Sequence, residues 1–270
     1  MSHVAQAYNS DPEREWGRLV RDAYHRLEFT TTMERIQRHV PPGALVLDAG
    51  GGPGRYARAL CRMGYRVVLC DVAAELLRLA ERHMLAEKPA TRARLLAVHE
   101  ADVRDLSALD NWRFDAALCL GPLTHLPEPA DRRQALGELL RVTRPGGVVI
   151  LSVGGYLALL RTVMARFSDE LLQPAAWERL QRGDALTGGG MHWHFFRAAE
   201  LRAEAEASGL TTLEVVGCQG LSANLPEATN RLAEEPDKWR RWSELLAQYS
   251  ADAAVADIAE HILYIGRAPA

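Results

Sequence analysis

The sequence predicts an α/β fold, a mostly parallel sheet with helices on both faces, and three observations predict it. Strand and helix signals alternate from Val46 to Val153, the pattern of parallel strands joined by crossover helices. The first three strands each end at or near an acid, Asp48, Asp71 and Asp102. The first strand also runs into Gly50-Gly51-Gly52-Pro53-Gly54 and then a helix start. Glycines are needed where the chain turns at positive φ, or where a ligand lies against backbone with no Cβ between them.

Each element follows in order. Val46 to Ala49 is a short apolar strand interrupted only by Asp48. Arg66 to Asp71 is a second buried strand, entered after Gly64 and followed by a helix that carries Leu76, Leu77, Ala80 and Met84 on one face. Leu95 to His99 makes the third and leads into Glu100 to Leu106. Phe114 to Leu120 is the fourth, running into the loop Gly121-Pro122-Leu123-Thr124-His125-Leu126. A helix from about Ala130 to Val142 precedes the turn Arg144-Pro145-Gly146-Gly147 and a fifth strand, Val148 to Val153. Ala199 to Ser208 then reads as a helix stopped by Gly209, Leu213 to Gly217 as a sixth strand and Glu260 to Gly266 as a seventh.

The remaining segments read as additions to one domain at 41–270. Residues 1–40 are expected to form an N-terminal helical cap, with a helix from Asp11 to about His39 that puts Trp16, Leu19, Val20, Ala23 and Leu27 on one stripe. Tyr8 and Arg21, off that stripe, are candidates for substrate contact. Insertions are expected at about 155–192 and 220–256. The first has helical patterns around Leu157 to Phe167 and Glu170 to Leu180, then a Gly188-Gly189-Gly190 hinge ahead of Met191-His192-Trp193-His194-Phe195-Phe196. The second carries Trp239, Trp242, Leu245, Leu246 and Tyr249. Together they are expected to act as helical lids over a roofed pocket.

The glycine loop alone is ambiguous, because Gly52-Pro53-Gly54-Arg55-Tyr56-Ala57 also fits the dinucleotide pattern G-x-G-x-x-A with Asp71 near its acid position. The whole series is more specific. The Asp48 to Gly54 loop, Asp71, Asp102, the Phe114 to Leu120 strand and the Arg141-Val142-Thr143-Arg144-Pro145-Gly146-Gly147 turn together resemble the class I S-adenosylmethionine-dependent methyltransferases over about residues 40 to 155. The resemblance implies a Rossmann-like, seven-stranded, mostly parallel sheet whose last strand is antiparallel, and S-adenosyl-L-methionine as cofactor. It also implies roles. Asp71, with Val72 beside it, would accept both ribose hydroxyls, since a carboxylate takes two donors at once. Asp102 and the backbone of Val103 would meet the adenine, with Asp105 close enough to compete for that assignment. Asp48 and the carbonyls near Gly50, within the loop of Gly50, Gly51, Gly52 and Gly54, would orient the methionine ammonium group. Leu120 and Gly121 would line the adenine and sulfonium region.

Composition narrows the partners. The 270 residues carry 32 Lys and Arg against 35 Asp and Glu, a net charge of −3, so a nucleic-acid partner is not expected, because a phosphate-binding face shows as a basic excess. The fourth-strand loop also lacks the Asn-Pro-Pro-Tyr-like clamp of nucleic-acid amino methyltransferases. The apolar run from Val148 is too short and interrupted to span a bilayer, and Met1 to Ser10 lacks a signal-peptide core. A cytoplasmic protein without a membrane partner is expected, with a homodimer left open. Cys61, Cys70, Cys119 and Cys218 show no C-x-x-C spacing, so core filling is expected and no metal.

These readings converge on a methyltransferase acting on oxygen or nitrogen of a small metabolite or natural-product intermediate. Two alternatives stay open, an NAD-dependent oxidoreductase and a non-methylating binder of an S-adenosylmethionine-type cofactor, such as a carboxymethyl transferase. Methyl transfer is an in-line displacement accelerated by holding the acceptor behind the methyl, which leaves a base optional. A neutral histidine could take the acceptor's proton at pH 7. His125 is the first candidate, since the fourth-strand loop faces the methyl in the resembled family. His192 and His194 alternate with Trp193 as on a strand edge, and they are expected to point to opposite sides, so that at most one faces the pocket. His261 reads as structural.

Overall fold

The computed structural model describes residues 3–110, 112–186 and 190–270. Its central sheet has seven strands: β1 (Leu45–Ala49), β2 (Arg66–Asp71), β3 (Leu95–Glu100), β4 (Phe114–Leu120), β5 (Thr143–Gly154), and then β8 (Thr211–Gly217) and β9 (His261–Arg267) after a separate hairpin of β6 (Asp184–Leu186) and β7 (His192–His194). The order across the sheet is β3-β2-β1-β4-β5-β9-β8. The first five pair in parallel, while β9 runs antiparallel to both β5 and β8. The expected Rossmann-like sheet with an antiparallel last strand is therefore present.

Burial on both faces explains the strand sequences. Along β5 every residue from Val148 to Gly154 is buried, as required of a strand covered on two sides. Alternate residues divide between two cores: Leu47, Cys70, Phe114, Leu139 and Tyr264 on one face, Ile36, Val46, Leu60, Leu69 and Ile265 on the other. The four cysteines are free and buried in these cores.

The strand order reverses between β1 and β4, and in open α/β sheets ligands bind beyond the carboxyl ends of the strands at such a point. The loops after β1 and β4 meet there. A Cβ placed on Gly50, which has φ +71°, would lie 2.2 Å from Pro122 Cγ, so only glycine lets these loops touch.

Outside the sheet several expectations change. The long helix from Asp11 to His39 is broken into Pro12–Arg18 and Ala23–His39, preceded by His3–Asn9. Asp22 marks the break, because its carboxylate accepts the His25 N–H and so starts a new helix, as Asp11 does for Pro12–Arg18 through the Arg14 N–H. The helix expected over Glu170 to Leu180 begins only at Pro174 and runs to Gln181, after a 3-10 turn at Ser168–Leu172. Proline is suited to a first helical turn and unsuited to an interior. The same residue type opens Pro226–Ala233 and Pro236–Tyr249, which with Ala253–Ile258 are the helices within 220–256. Of the expected hinge, Gly188 and Gly189 lie outside the described residues, and Gly190 has φ +78°.

Candidate active site

The glycine loop is fastened to β2. Gly50 and Gly51 both donate to the Cys70 carbonyl, at 2.7 and 3.2 Å. Gly52 N–H donates to Asp71 Oδ2 and Ala73 N–H to Asp71 Oδ1, each at 2.8 Å. Asp71 is therefore a brace for the loop as well as a strand-end acid. Each of its oxygens retains a second lone pair for a ligand hydroxyl. Burial raises its carboxyl above the ordinary range despite these bonds.

Asp48 is fully buried at the end of β1. Its Oδ2 accepts from Ala57 N–H at 3.1 Å, while Oδ1 has no hydrogen-bond partner among the described residues. Burial raises this carboxyl to about 7, against the opposing Ala57 bond. A Cβ on Gly51 would sit 2.5 Å from the Asp48 carboxyl carbon. The loop thus leaves one buried carboxylate oxygen unsatisfied beside bare backbone.

Asp102 is differently placed. Its carboxylate is taken up by Arg104, through the backbone N–H at 2.9 Å, Nε at 3.1 Å and Nη2 at 2.7 Å, and Arg104 continues to Asp131 at 2.9 Å. Partial burial raises its carboxyl, but the bonds and charge of Arg104 outweigh that and hold it low. Val103 beside it is buried. Asp105 caps the next turn, accepting from Ser107 N–H at 3.1 Å. Leu120 and Gly121 end β4, and Gly121, at φ +119°, donates to the Ser152 carbonyl at 2.9 Å.

The loop after β4 folds into a 3-10 turn, Pro122–His125, pinned where Gly154 N–H donates to Thr124 Oγ1 at 3.0 Å. This turn presents His125. Its Nε2 lies 3.0 Å from the Tyr8 hydroxyl, and its ring meets Trp193 edge-on, with centroids 5.2 Å apart. His125 Nδ1 and Trp193 Nε1 are both buried without a partner among the described residues. Burial lowers the imidazole to about 4, so the ring is neutral at pH 7.

The two later histidines stand elsewhere. Contrary to the expectation that they point to opposite sides, His192 and His194 share one side of β7, because residues two apart in a strand face the same way, and Trp193 takes the other, the side that meets His125. His192 is exposed. His194 is buried with both nitrogens engaged, Nδ1 by Asp184 at 2.8 Å and Nε2 by Glu200 at 2.9 Å. Burial alone would lower its pKa, but these two acids raise it. His261 is tied to Gln219 at 2.8 Å and faces Glu28 at 3.4 Å. Arg21 is an exposed side chain engaging His25 and Asp22. Trp193 was missed as a site residue, although the two-residue period of a strand was the signal that would have found it.

A doubly wound sheet, a glycine loop and two strand-end carboxylates at its switch point define a fold that binds a nucleoside cofactor. Comparison with known proteins specifies which. A family described as a methyltransferase domain matches residues 46–147. A ubiquinone biosynthesis O-methyltransferase from Xanthomonas axonopodis pv. citri is 32% identical over 193 residues, covering 71% of this chain and 71% of the relative. Another, from Xylella fastidiosa, is 33% identical over 68% of each chain. Among solved structures, a SAM-dependent methyltransferase from Methanosarcina mazei superposes with a TM-score of 0.60 at 20% identity, covering 87% of this chain and 97% of that one. A Burkholderia thailandensis 1,6-didemethyltoxoflavin-N1-methyltransferase with bound S-adenosylhomocysteine gives 0.59 at 18% identity, covering 99% and 88%. The chain belongs to the class I S-adenosylmethionine-dependent methyltransferases. It is an enzyme that methylates a small molecule, and the dinucleotide and non-methylating alternatives are not favoured.

The residues present fit that cofactor. Asp48 offers a buried carboxylate oxygen with no partner among the described residues, and the Gly50 and Gly51 backbone has no room for a side chain. When bound, the sulfonium supplies an electrophilic methyl group.

Proposed function

We propose that this enzyme transfers the methyl group to a hydroxyl or amine of a small metabolite or natural-product intermediate, with His125 accepting the proton. The observation that carries this reading is the buried contact of His125 with Tyr8 and Trp193 at the switch-point loop. A neutral imidazole has a lone pair to offer, and the low pKa of His125 keeps it so throughout the physiological range. Because a base this weak draws little proton in the ground state, positioning of the acceptor supplies most of the acceleration. The O-methyltransferase names of the relatives support oxygen as acceptor, and the N1-methyltransferase neighbour keeps nitrogen in view.

In the same reading Asp48 and Gly50 to Gly54 hold the methionine end, Asp71 with Val72 the ribose, Asp102 with Val103 the adenine, and Leu120 with Gly121 the sulfonium. Asp102 serves while still paired to Arg104. His192 and His194 take no part in proton transfer; His194 secures the hairpin that aims Trp193. Residues 1–40 and the insertions at about 155–192 and 220–256 cover the acceptor. We further infer a cytoplasmic enzyme that does not act on nucleic acid, which the net charge of −3 supports. Light scattering tests whether it is a homodimer. No helix among the described residues is long and apolar enough to cross a membrane.

The test is release of S-adenosylhomocysteine across a panel of hydroxyl, amine and carbon acceptors, with wild type and His125→Ala. Turnover of hydroxyl or amine acceptors that collapses in the variant supports the reading. Turnover of carbon acceptors alone, or full activity in the variant, contradicts it.

A further inference from the structure

A second set of unsatisfied groups lies along the helix that follows β5. The helix Tyr156–Arg166 leaves β5 at Gly155, anchored where Tyr156 N–H donates to the Phe196 carbonyl at 2.8 Å. Its start is therefore beside the Thr124 to Gly154 bond that positions the His125 turn. Arg161 stands five residues on, about 8 Å along the axis. It is half-buried, has no carboxylate within ion-pair distance among the described residues, and its Nε is buried without a partner. Its Nη2 donates to the Ile258 carbonyl.

Asn224 faces the same helix. Its Nδ2 donates to the Ala158 carbonyl at 3.5 Å and to Thr162 Oγ1 at 3.2 Å, the residues on either side of Arg161 along the helix. Its backbone N–H donates to the Tyr24 hydroxyl at 2.9 Å, yet its Oδ1 is buried without a partner. Asn224 is also the one non-glycine residue at positive φ, +60°, among the described residues. A guanidinium with a buried, unpartnered Nε, an orphaned carbonyl oxygen and a left-handed backbone each cost stability. Their meeting on one helix face asks for a ligand. Glu260, an acid of this region, is engaged by the Tyr24 phenol, on which the Arg161 charge also acts.

We propose that Arg161 and Asn224 recognise a carboxylate on the acceptor, Arg161 binding the anion and Asn224 Oδ1 taking an O–H or N–H of the same molecule. This rests on the methyl-transfer reading and names the substrate class of the same site: a hydroxylated or amino-bearing organic acid whose carboxylate lies away from the methylated atom. A guanidinium suits this task because its planar fork matches a carboxylate. Arg161 and Asn224 determine specificity and are not part of the proton transfer.

The test compares matched acids and methyl esters, 3,4-dihydroxybenzoate, 3,4-dihydroxycinnamate and tyrosine each against its ester, by release of S-adenosylhomocysteine. Wild type is expected to favour the acid by tenfold or more in kcat/KM. Arg161→Gln should erase that preference by raising KM with kcat kept within about twofold, Arg161→Lys should keep most of it, and Asn224→Ala should raise KM for the acids. Unchanged affinity for S-adenosylhomocysteine by calorimetry confirms that each variant is folded. Equal use of acid and ester, a preference that survives Arg161→Gln, or turnover of neutral acceptors alone overturns the inference and leaves methyl transfer standing. No turnover of any acceptor, acidic or neutral, counts against both.

Discussion

The Tyr8 hydroxyl and His125 Nε2 are 3.0 Å apart across 117 residues of sequence. This bond fastens the first helix to the loop that faces the cofactor site. Asn9, next to Tyr8, extends the attachment by accepting from Glu75 N–H at 2.9 Å, at the start of the helix that follows Asp71. The N-terminal segment is thus keyed to both halves of the nucleotide-binding sheet.

Removing the hydroxyl tests this key. Tyr8→Phe keeps the ring contact and loses one hydrogen bond, for which about 0.5–1.5 kcal/mol is typical. A fall in kcat of about 3–10-fold is expected, with affinity for S-adenosylhomocysteine unchanged by calorimetry. Unaltered kcat would show that Tyr8 does not position His125.

His125 makes a pH prediction. Its pKa of about 4 lies below the ordinary 6.5, so the folded state disfavours its proton. The stability it contributes is complete above 6.5 and is lost as pH falls from there toward 4, about 2 kcal/mol by pH 5. Urea midpoints should drop between pH 7.5 and 5 more in wild type than in His125→Phe. For catalysis, turnover should show no limb near pH 6.5 from this group, and His125→Ala should reduce kcat about 10²–10⁴-fold, the usual span for a general base.

Asp71→Ala should weaken S-adenosylhomocysteine binding by about 1.5–3 kcal/mol, the range for hydrogen bonds to a charged group. The same change releases Gly52 and Ala73 from its carboxylate, so the thermal midpoint should also fall. Calorimetry and a melting curve separate the two effects, and wild-type affinity would remove Asp71 from the ribose site.

Removing the Asp48 charge should raise stability while weakening binding. Its folded pKa of about 7 exceeds the ordinary 3.8, so stability declines as pH rises through that interval, and the ionised group costs at most about 4 kcal/mol above it. Asp48→Asn should therefore melt higher than wild type at pH 8. In wild type, affinity for S-adenosylhomocysteine should rise from pH 6 to 8 as the carboxylate ionises to meet the ammonium group. The variant should bind weakly at both values.

Much of this site was legible in the sequence because chemistry restricted the residues. Only glycine fits at Gly50 against Pro122, and Asp48 and Asp71 stand out as acids ending apolar strands. The inner strands were readable for a similar reason, since burial on both faces demands unbroken apolar runs. The cover was less so. Helix breaks at Asp11 and Asp22 depend on side-chain capping that competes with an otherwise continuous apolar stripe. The partners of His194 come from Asp184 and Glu200, and the mate of His125 from Tyr8, pairings that only the folded chain creates.

The most direct measurement is calorimetric titration of the wild-type protein with S-adenosylhomocysteine and NAD, repeated with Asp71→Ala. The account predicts micromolar binding of S-adenosylhomocysteine, weakened at least tenfold by the substitution, and no measurable binding of NAD. Tighter binding of NAD, or S-adenosylhomocysteine affinity indifferent to Asp71, would contradict it.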